Sequence, residues 1–186
     1  MNTLLENKHV LTTALLFQVL WFVAILGEWY WAFIALAFML AHLLSIRKQL
    51  PVNISFLLLL GFFGMIFDST LKYIGVYQFS VVSPAIPYLD LPIWLACLWL
   101  GFCFTFPLSL AWLVKKTYLF VLACSLMGPL SFLAGRRLEV LSFSDNHIWF
   151  LVLEWCVFSI VALVFLLPRL KVSFTPSISF KSESTC

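Results

Sequence analysis

An all-α, polytopic integral membrane protein is the fold class this sequence predicts, and three observations predict it. Uncharged apolar runs cover 9–27, 29–46, 49–67, 91–114 and 117–135, and a sixth, 146–168, carries the single acid Glu154. Each run is close to the roughly 20 residues a helix needs to cross a hydrocarbon core about 30 Å thick. Composition agrees: 63% of the 186 residues are hydrophobic and 10% charged, with mean hydropathy +1.07. A soluble domain of this length needs more polar surface, and no stretch between the runs is long enough to fold separately. The third observation is the placement of charge, which orients a six-helix transmembrane bundle.

With six crossings, Lys8, Arg47, Lys48, Lys115, Lys116, Arg169, Lys171 and Lys181 fall on one side, and Lys72, Arg136 and Arg137 on the other. Lys and Arg accumulate on the cytoplasmic side of short loops, so both termini are expected inside, an N-in/C-in topology. The acids run the other way: Glu28, Asp68, Asp90, Glu139, Asp145 and Glu154 map to the outer half, and only Glu6 and Glu183 to the inner. The net charge of +3 therefore reflects membrane anchoring, and no nucleic-acid surface is expected.

Taken in order, the expected spans are about 10–27, 30–46, 53–73, 93–114, 117–135 and 147–167, together one transmembrane domain over 1–172. The first run is too long for a signal core, and Leu26-Gly27-Glu28-Trp29 lacks a small-x-small cleavage pattern, so it is read as a retained helix. It turns at Gly27 to Trp29 into the second, and Arg47-Lys48-Gln49-Leu50-Pro51 makes the first inner loop. Ile74 to Pro92 is the longest connection, largely apolar, with only Asp90 charged and with Pro84, Pro87 and Pro92. Such a loop is expected to fold over the bundle mouth as an interfacial or re-entrant segment. Lys115-Lys116 is the second inner turn, Gly128-Pro129 is expected to kink the fifth span, and Asn146 and His147 lead into the sixth. Trp29, Tyr30, Trp31, Trp94 and Trp149 sit where an outer aromatic belt belongs. From Ser173 the tail has no apolar run and is expected to be disordered and cytoplasmic, over 173–186.

Helical spacing identifies the inward faces. Asn53, Leu57, Gly61, Gly64, Asp68 and Lys72 recur every three or four residues and share one stripe of the third span. The fourth span has a similar stripe in Trp94, Cys97, Gly101, Thr105, Ser109 and Trp112, and the fifth in Cys124, Gly128, Ser131 and Gly135. Membrane helices pack on small, weakly polar faces, so spans three, four and five are the expected bundle centre.

Asp68 and Glu154 are the candidate catalytic groups, because an ionisable side chain inside a span is costly unless it is paired, protonated or facing water. Asp68 lies about one turn below the outer end of its span, where Lys72 at i+4 can pair with it. A structural ion pair and a functional carboxylate both fit that arrangement. Glu154 has no basic residue at i±3 or i±4, so its partner must come from another helix; it suits a general acid or a proton-carrying site, or a protonated side chain bonded to a neighbouring span. Arg136 and Arg137 oppose the orientation rule at the outer side, where they could hold a phospholipid headgroup or neutralise Glu139, Asp145 or Glu154. With Lys72 and His147 they complete the candidate substrate-binding set. Gln18 and His42 read as polar packing within spans one and two. Cys97, Cys103, Cys124, Cys156 and Cys186 show no metal or redox spacing, and neither a metal site nor a cofactor is expected.

Four segments carry a resemblance: Phe17-Gln18-Val19-Leu20-Trp21; Asp68 followed by Gly75-Val76-Tyr77-Gln78-Phe79; Pro92-Ile93-Trp94 with Leu98-Trp99; and Gly128-Pro129-Leu130-Ser131-Phe132-Leu133-Ala134-Gly135. Together they resemble an uncharacterised bacterial inner-membrane family, domain of unknown function 2878, over roughly residues 10–167. The resemblance implies a compact multi-span protein of the inner (cytoplasmic) membrane of a Gram-negative bacterium and carries no established activity.

Three function classes fit these residues. One is a membrane-embedded enzyme or enzyme subunit acting on a lipid at the periplasmic side, with Asp68 and Glu154 as acid/base groups. Another is a small proton-coupled or lipid transporter using the same carboxylates. The third is a non-catalytic scaffold. A lipid-related role is favoured, with membrane lipids and a further membrane protein as the expected partners.

Overall fold

The computed structural model of the chain describes residues 2–80 and 83–172, with side chains over 7–80 and 83–169. The tail expected from 173 lies outside the described residues. Helices dominate: α1 (Asn2–Leu26), α2 (Trp29–Ser45), α3 (Ile54–Tyr73), α4 (Ile93–Thr105), α5 (Ala111–Val114), α6 (Thr117–Arg137) and α7 (Ile148–Val172). Among the described residues, four helical stretches are long and apolar enough to cross a membrane, Asn7–Leu26, Ile54–Tyr73, Thr117–Arg137 and Asp145–Arg169. Helix α2, with 17 residues, and α4, with 13, are shorter. At 1.5 Å per residue α4 is only about 20 Å long.

The single helix expected over 93–114 is therefore two pieces, and Pro107 is the cause. A proline donates no backbone hydrogen bond and its ring crowds the preceding turn. The chain unwinds through 106–110, where the Leu110 amide donates to the Thr105 carbonyl at 3.0 Å, before α5 restarts at Ala111.

Lipid is as apolar as leucine, so these helices gain little from burying hydrocarbon and associate instead where small residues let backbones come close. Such contacts converge on α4. A Cβ on Gly61 would stand 2.8 Å from Leu100 and one on Gly64 2.2 Å from Trp99, which brings α3 against one side of α4. On α4 itself, Gly101 admits Leu20 of α1, whose side chain would lie 2.2 Å from an added Cβ. Helix α2 also packs on α1 and α4. The expected centre of spans three, four and five is corrected in one respect: α6 packs on α7 rather than against α4. Its small face is used on α7, because a Cβ on Gly128 would meet the Trp155 ring at 2.0 Å. The molecule is thus two leaves, α1–α4 and α6–α7, joined through α5.

At one end the leaves are closed by a cap made from the 74–92 and 138–147 loops. Both loops begin the same way. Gly75 (φ 81) ends α3 with Val76 donating to Leu71 and Gly75 to Lys72, each at 3.0 Å. Glu139 (φ 59) ends α6 with Val140 donating to Gly135 at 3.0 Å and Glu139 to Arg136 at 3.1 Å. These paired bonds satisfy carbonyls the helix ends would otherwise leave open and turn the chain sharply. The turned segments, β1 (Gln78–Phe79) and β4 (Leu141–Ser142), then pair antiparallel with Gln78 opposite Ser142. Within the first loop, β2 (Ala85–Ile86) pairs with β3 (Leu91–Pro92).

Candidate functional site

The inward stripe of α3 delivers Asp68 to the interior, where it is fully buried. Its expected partner was Lys72, one turn on, and the structure corrects this. Lys72 lies on the cap side and pairs with Asp90, Nζ to Oδ2 at 2.5 Å, also donating to the Asp90 carbonyl. A lysine at the helix end reaches water by turning outward, whereas Asp68 faces α4. Two uncharged donors take its place. Trp99 of α4 donates Nε1–H to Oδ2 at 2.5 Å, an approach made possible by the absence of a side chain at Gly64. The turn at Gly75 sends the following chain back into the bundle, and Tyr77 donates its hydroxyl to Oδ1 at 2.6 Å. Burial first, and the neighbouring carboxyls after it, push the Tyr77 hydroxyl well above its ordinary range, so it remains a donor.

Glu154 enters from α7 and is 4% exposed, with no hydrogen-bond partner of good geometry on either carboxyl oxygen. Its carboxyl interacts electrostatically with that of Asp68, so the missing partner from another helix is a second acid. The next residue explains the meeting. Trp155 stacks on Trp99 with ring centroids 5.0 Å apart and planes at 17°. Gly64 lies against the outer face of one indole and Gly128 against the other, so four helices are layered glycine, indole, indole, glycine. Among the described residues no basic side chain is bonded to either carboxyl. Two adjacent negative charges in so dry a place would cost far more than one.

Asp68 also forms part of the wall of a cavity of about 440 Å³ between α1 and α6, with α4 as its floor. That volume is within the range of small-molecule sites. Aromatic side chains share its surface with leucines: Phe17 and Trp21 come from α1, Trp99 and Phe102 from α4, Phe132 from α6 and Trp155 from α7. The space exists because α1 packs on α2 and α4 while α6 packs on α7. Of its lining residues, Gln18 of α1 and Met127 and Leu130 of α6 are exposed, and the groove opens between the outer faces of these helices.

The basic residues expected to bind substrate lie in or near the cap and do not line this cavity. Arg136 pairs with Asp145 at 2.6 Å and donates to the Phe143 carbonyl at 3.2 Å, one of the partners the sequence offered it. Arg137 is exposed beside it. His147 donates through Nδ1 to the Val76 carbonyl at 2.7 Å, fastening the second loop to the first. The structure therefore brings Asp68 and Glu154 together and leaves Lys72, Arg136, Arg137 and His147 around the cap. Tyr77, Trp99 and Trp155 complete the acid site and went unassigned by sequence reasoning; a tyrosine beside a tight Gly-Val turn was the one visible signal. Among the described residues no group of three or more His, Cys, Asp or Glu is placed to hold a metal ion.

No curated protein and no solved structure matches the chain. A family model, described as a protein of unknown function, matches residues 10–165. That span covers the acid pair, both indoles, the cap and most of every long helix, and the chain therefore belongs to this family, DUF2878.

Proposed function

We propose that this is a six-crossing bacterial inner-membrane protein, with both termini cytoplasmic, that admits a lipid-soluble molecule through the α1–α6 groove and performs acid/base chemistry on it as an enzyme or enzyme subunit. The observation that carries the reading is the buried Asp68–Glu154 pair beside a groove lined mainly by apolar side chains. An acid pair that holds one proton can deliver it to a substrate atom and recover it later, which is what a general acid needs. Tyr77 and Trp99 keep Asp68 oriented as an acceptor, leaving Glu154 the freer group and our assignment for proton donor. The cap, with its basic residues on the periplasmic side, would sit at the headgroup level.

The same unneutralised pair favours a second reading, a proton-coupled transporter, because a mobile proton at membrane depth is also what coupling requires. Total lipid profiles of a deletion strain complemented with wild type, Asp68→Asn or Glu154→Gln separate these. The enzyme reading predicts a lipid species that the wild type restores and Glu154→Gln does not, at equal protein levels. Restoration by both variants would overturn it, and flux that collapses with the pH gradient would favour transport. Unchanged lipids with loss of folded protein would identify a scaffold.

A further inference from the structure

Two polar side chains in the groove are unaccounted for by the acid pair. Gln18 of α1 and Ser131 of α6 both line it, from opposite walls. Several hydroxyls in the helices return to their own backbone, Thr13 to His9, Thr70 to Ile66 and Ser159 to Cys156, each at 2.8 Å, while the Ser125 hydroxyl of α6, outside the groove, is buried without a partner among the described residues. Neither Gln18 nor Ser131 makes a hydrogen bond to the described residues. Gln18 is eight residues from the end of α1 and Ser131 six from the end of α6, so both sit roughly 9–12 Å below the capped end of their helices. Gln18 is exposed and Ser131 half-buried, and at that depth of a bilayer an amide and a hydroxyl without partners are costly, so each calls for a hydrogen-bonding atom of something that enters.

The surfaces between them narrow the choice. Leu95, Leu98, Leu110, Leu113 and Leu130 suit a hydrocarbon tail, while Trp21, Trp99, Phe102 and Phe132 add the π-faces and edges that a ring stacks on. Donors on two opposite sides of an aromatic slot suit a flat ring bearing carbonyl oxygens at opposite positions. We infer that the groove binds a membrane-soluble conjugated diketone of the benzoquinone type, its ring against the indole and phenyl faces and its two carbonyls accepting from Gln18 Nε2 and Ser131 Oγ. This deepens the groove reading above and rests on it; the inference concerns binding alone.

Titration of the detergent-solubilised full chain with a decyl-substituted benzoquinone, followed by tryptophan fluorescence, tests it, because Trp21, Trp99 and Trp155 all border the groove. Saturable quenching is expected, with affinity lowered about five- to tenfold in Gln18→Leu and in Ser131→Ala, the loss of one hydrogen bond each. A methyl ester of a saturated fatty acid should compete weakly and equally in all three proteins. Unchanged quinone affinity in both variants, or an ester that competes as well as the quinone, overturns the ligand class. Met127→Trp, which fills the exposed rim, distinguishes this from failure of the groove itself: if neither probe binds the wild type or is affected by this variant, the groove reading falls as well.

Discussion

The indoles of Trp99 and Trp155 lie stacked, centroids 5.0 Å apart, the parallel member of a set of ring contacts that joins α4 to α7 beside the two acids. Glycines on both outer faces leave no slack. Gly64→Ala and Gly128→Ala would each force a methyl into a ring at 2.0–2.2 Å. We expect each to lower stability by about 1–3 kcal/mol, measured by thermal unfolding in detergent. The double variant should depart from additivity, since both press on the same pair of rings.

Tyr77 and Trp99 are the two donors to Asp68, so removing either leaves a buried acceptor short of a partner. Tyr77→Phe should cost about 1–3 kcal/mol with little change in volume. Combining it with Trp99→Phe should cost clearly more than either alone, because the second loss leaves the carboxyl bare. Equal unfolding temperatures for wild type and Tyr77→Phe would contradict the bond.

Asp68 and Glu154 differ in how they tolerate amides. Asparagine at 68 can place its oxygen on Trp99 and its amide against the Tyr77 oxygen, whereas leucine leaves the Trp99 N–H unpaired and the Tyr77 hydroxyl only its 2.9 Å bond to the residue-68 backbone carbonyl. Asp68→Leu is therefore expected to be less stable than Asp68→Asn by at least 1 kcal/mol. Glu154→Gln meets no such constraint and should unfold within about 1 kcal/mol of wild type, which keeps it usable as a probe of chemistry.

Helix ends α3 and α6 make the same turn with different residues. Gly75 takes φ 81 without strain, but Glu139 takes φ 59 with a side chain attached. Left-handed backbone costs about 1–2 kcal/mol for residues with a Cβ. Glu139→Gly is thus expected to raise stability slightly, by up to about 1 kcal/mol after the entropy of the unfolded glycine is deducted, and Gly75→Ala to lower it by about 1 kcal/mol. Chemical denaturation of the three proteins side by side gives both signs.

The helices and the burial of Asp68 were legible because both follow local periodicity: Leu57, Gly61, Gly64 and Asp68 repeat on one face, and all are buried. Its partners were not. Tyr77 arrives only after the Gly75 turn reverses the chain, and Trp99 comes from 31 residues away; neither relation has a period. Lys72 was the nearest opposite charge in sequence, yet water and Asp90 at the helix end held it more cheaply. Pro107 was in plain sight within an apolar run whose hydropathy continued past it. The cap strands, two residues each, are too short to alternate. The groove reflects a contact that α1 and α6 do not make, and patterning within one helix carries no trace of that.

The layout in two leaves has a practical corollary. Covalent continuity between them runs only through the stretch around Lys115 and Lys116, both exposed, while recognition is carried by the ring stack, the acid pair and the β1–β4 seam. A gene divided at that point should yield two polypeptides that find each other in the bilayer and rebuild the whole, as the halves of a split reporter do.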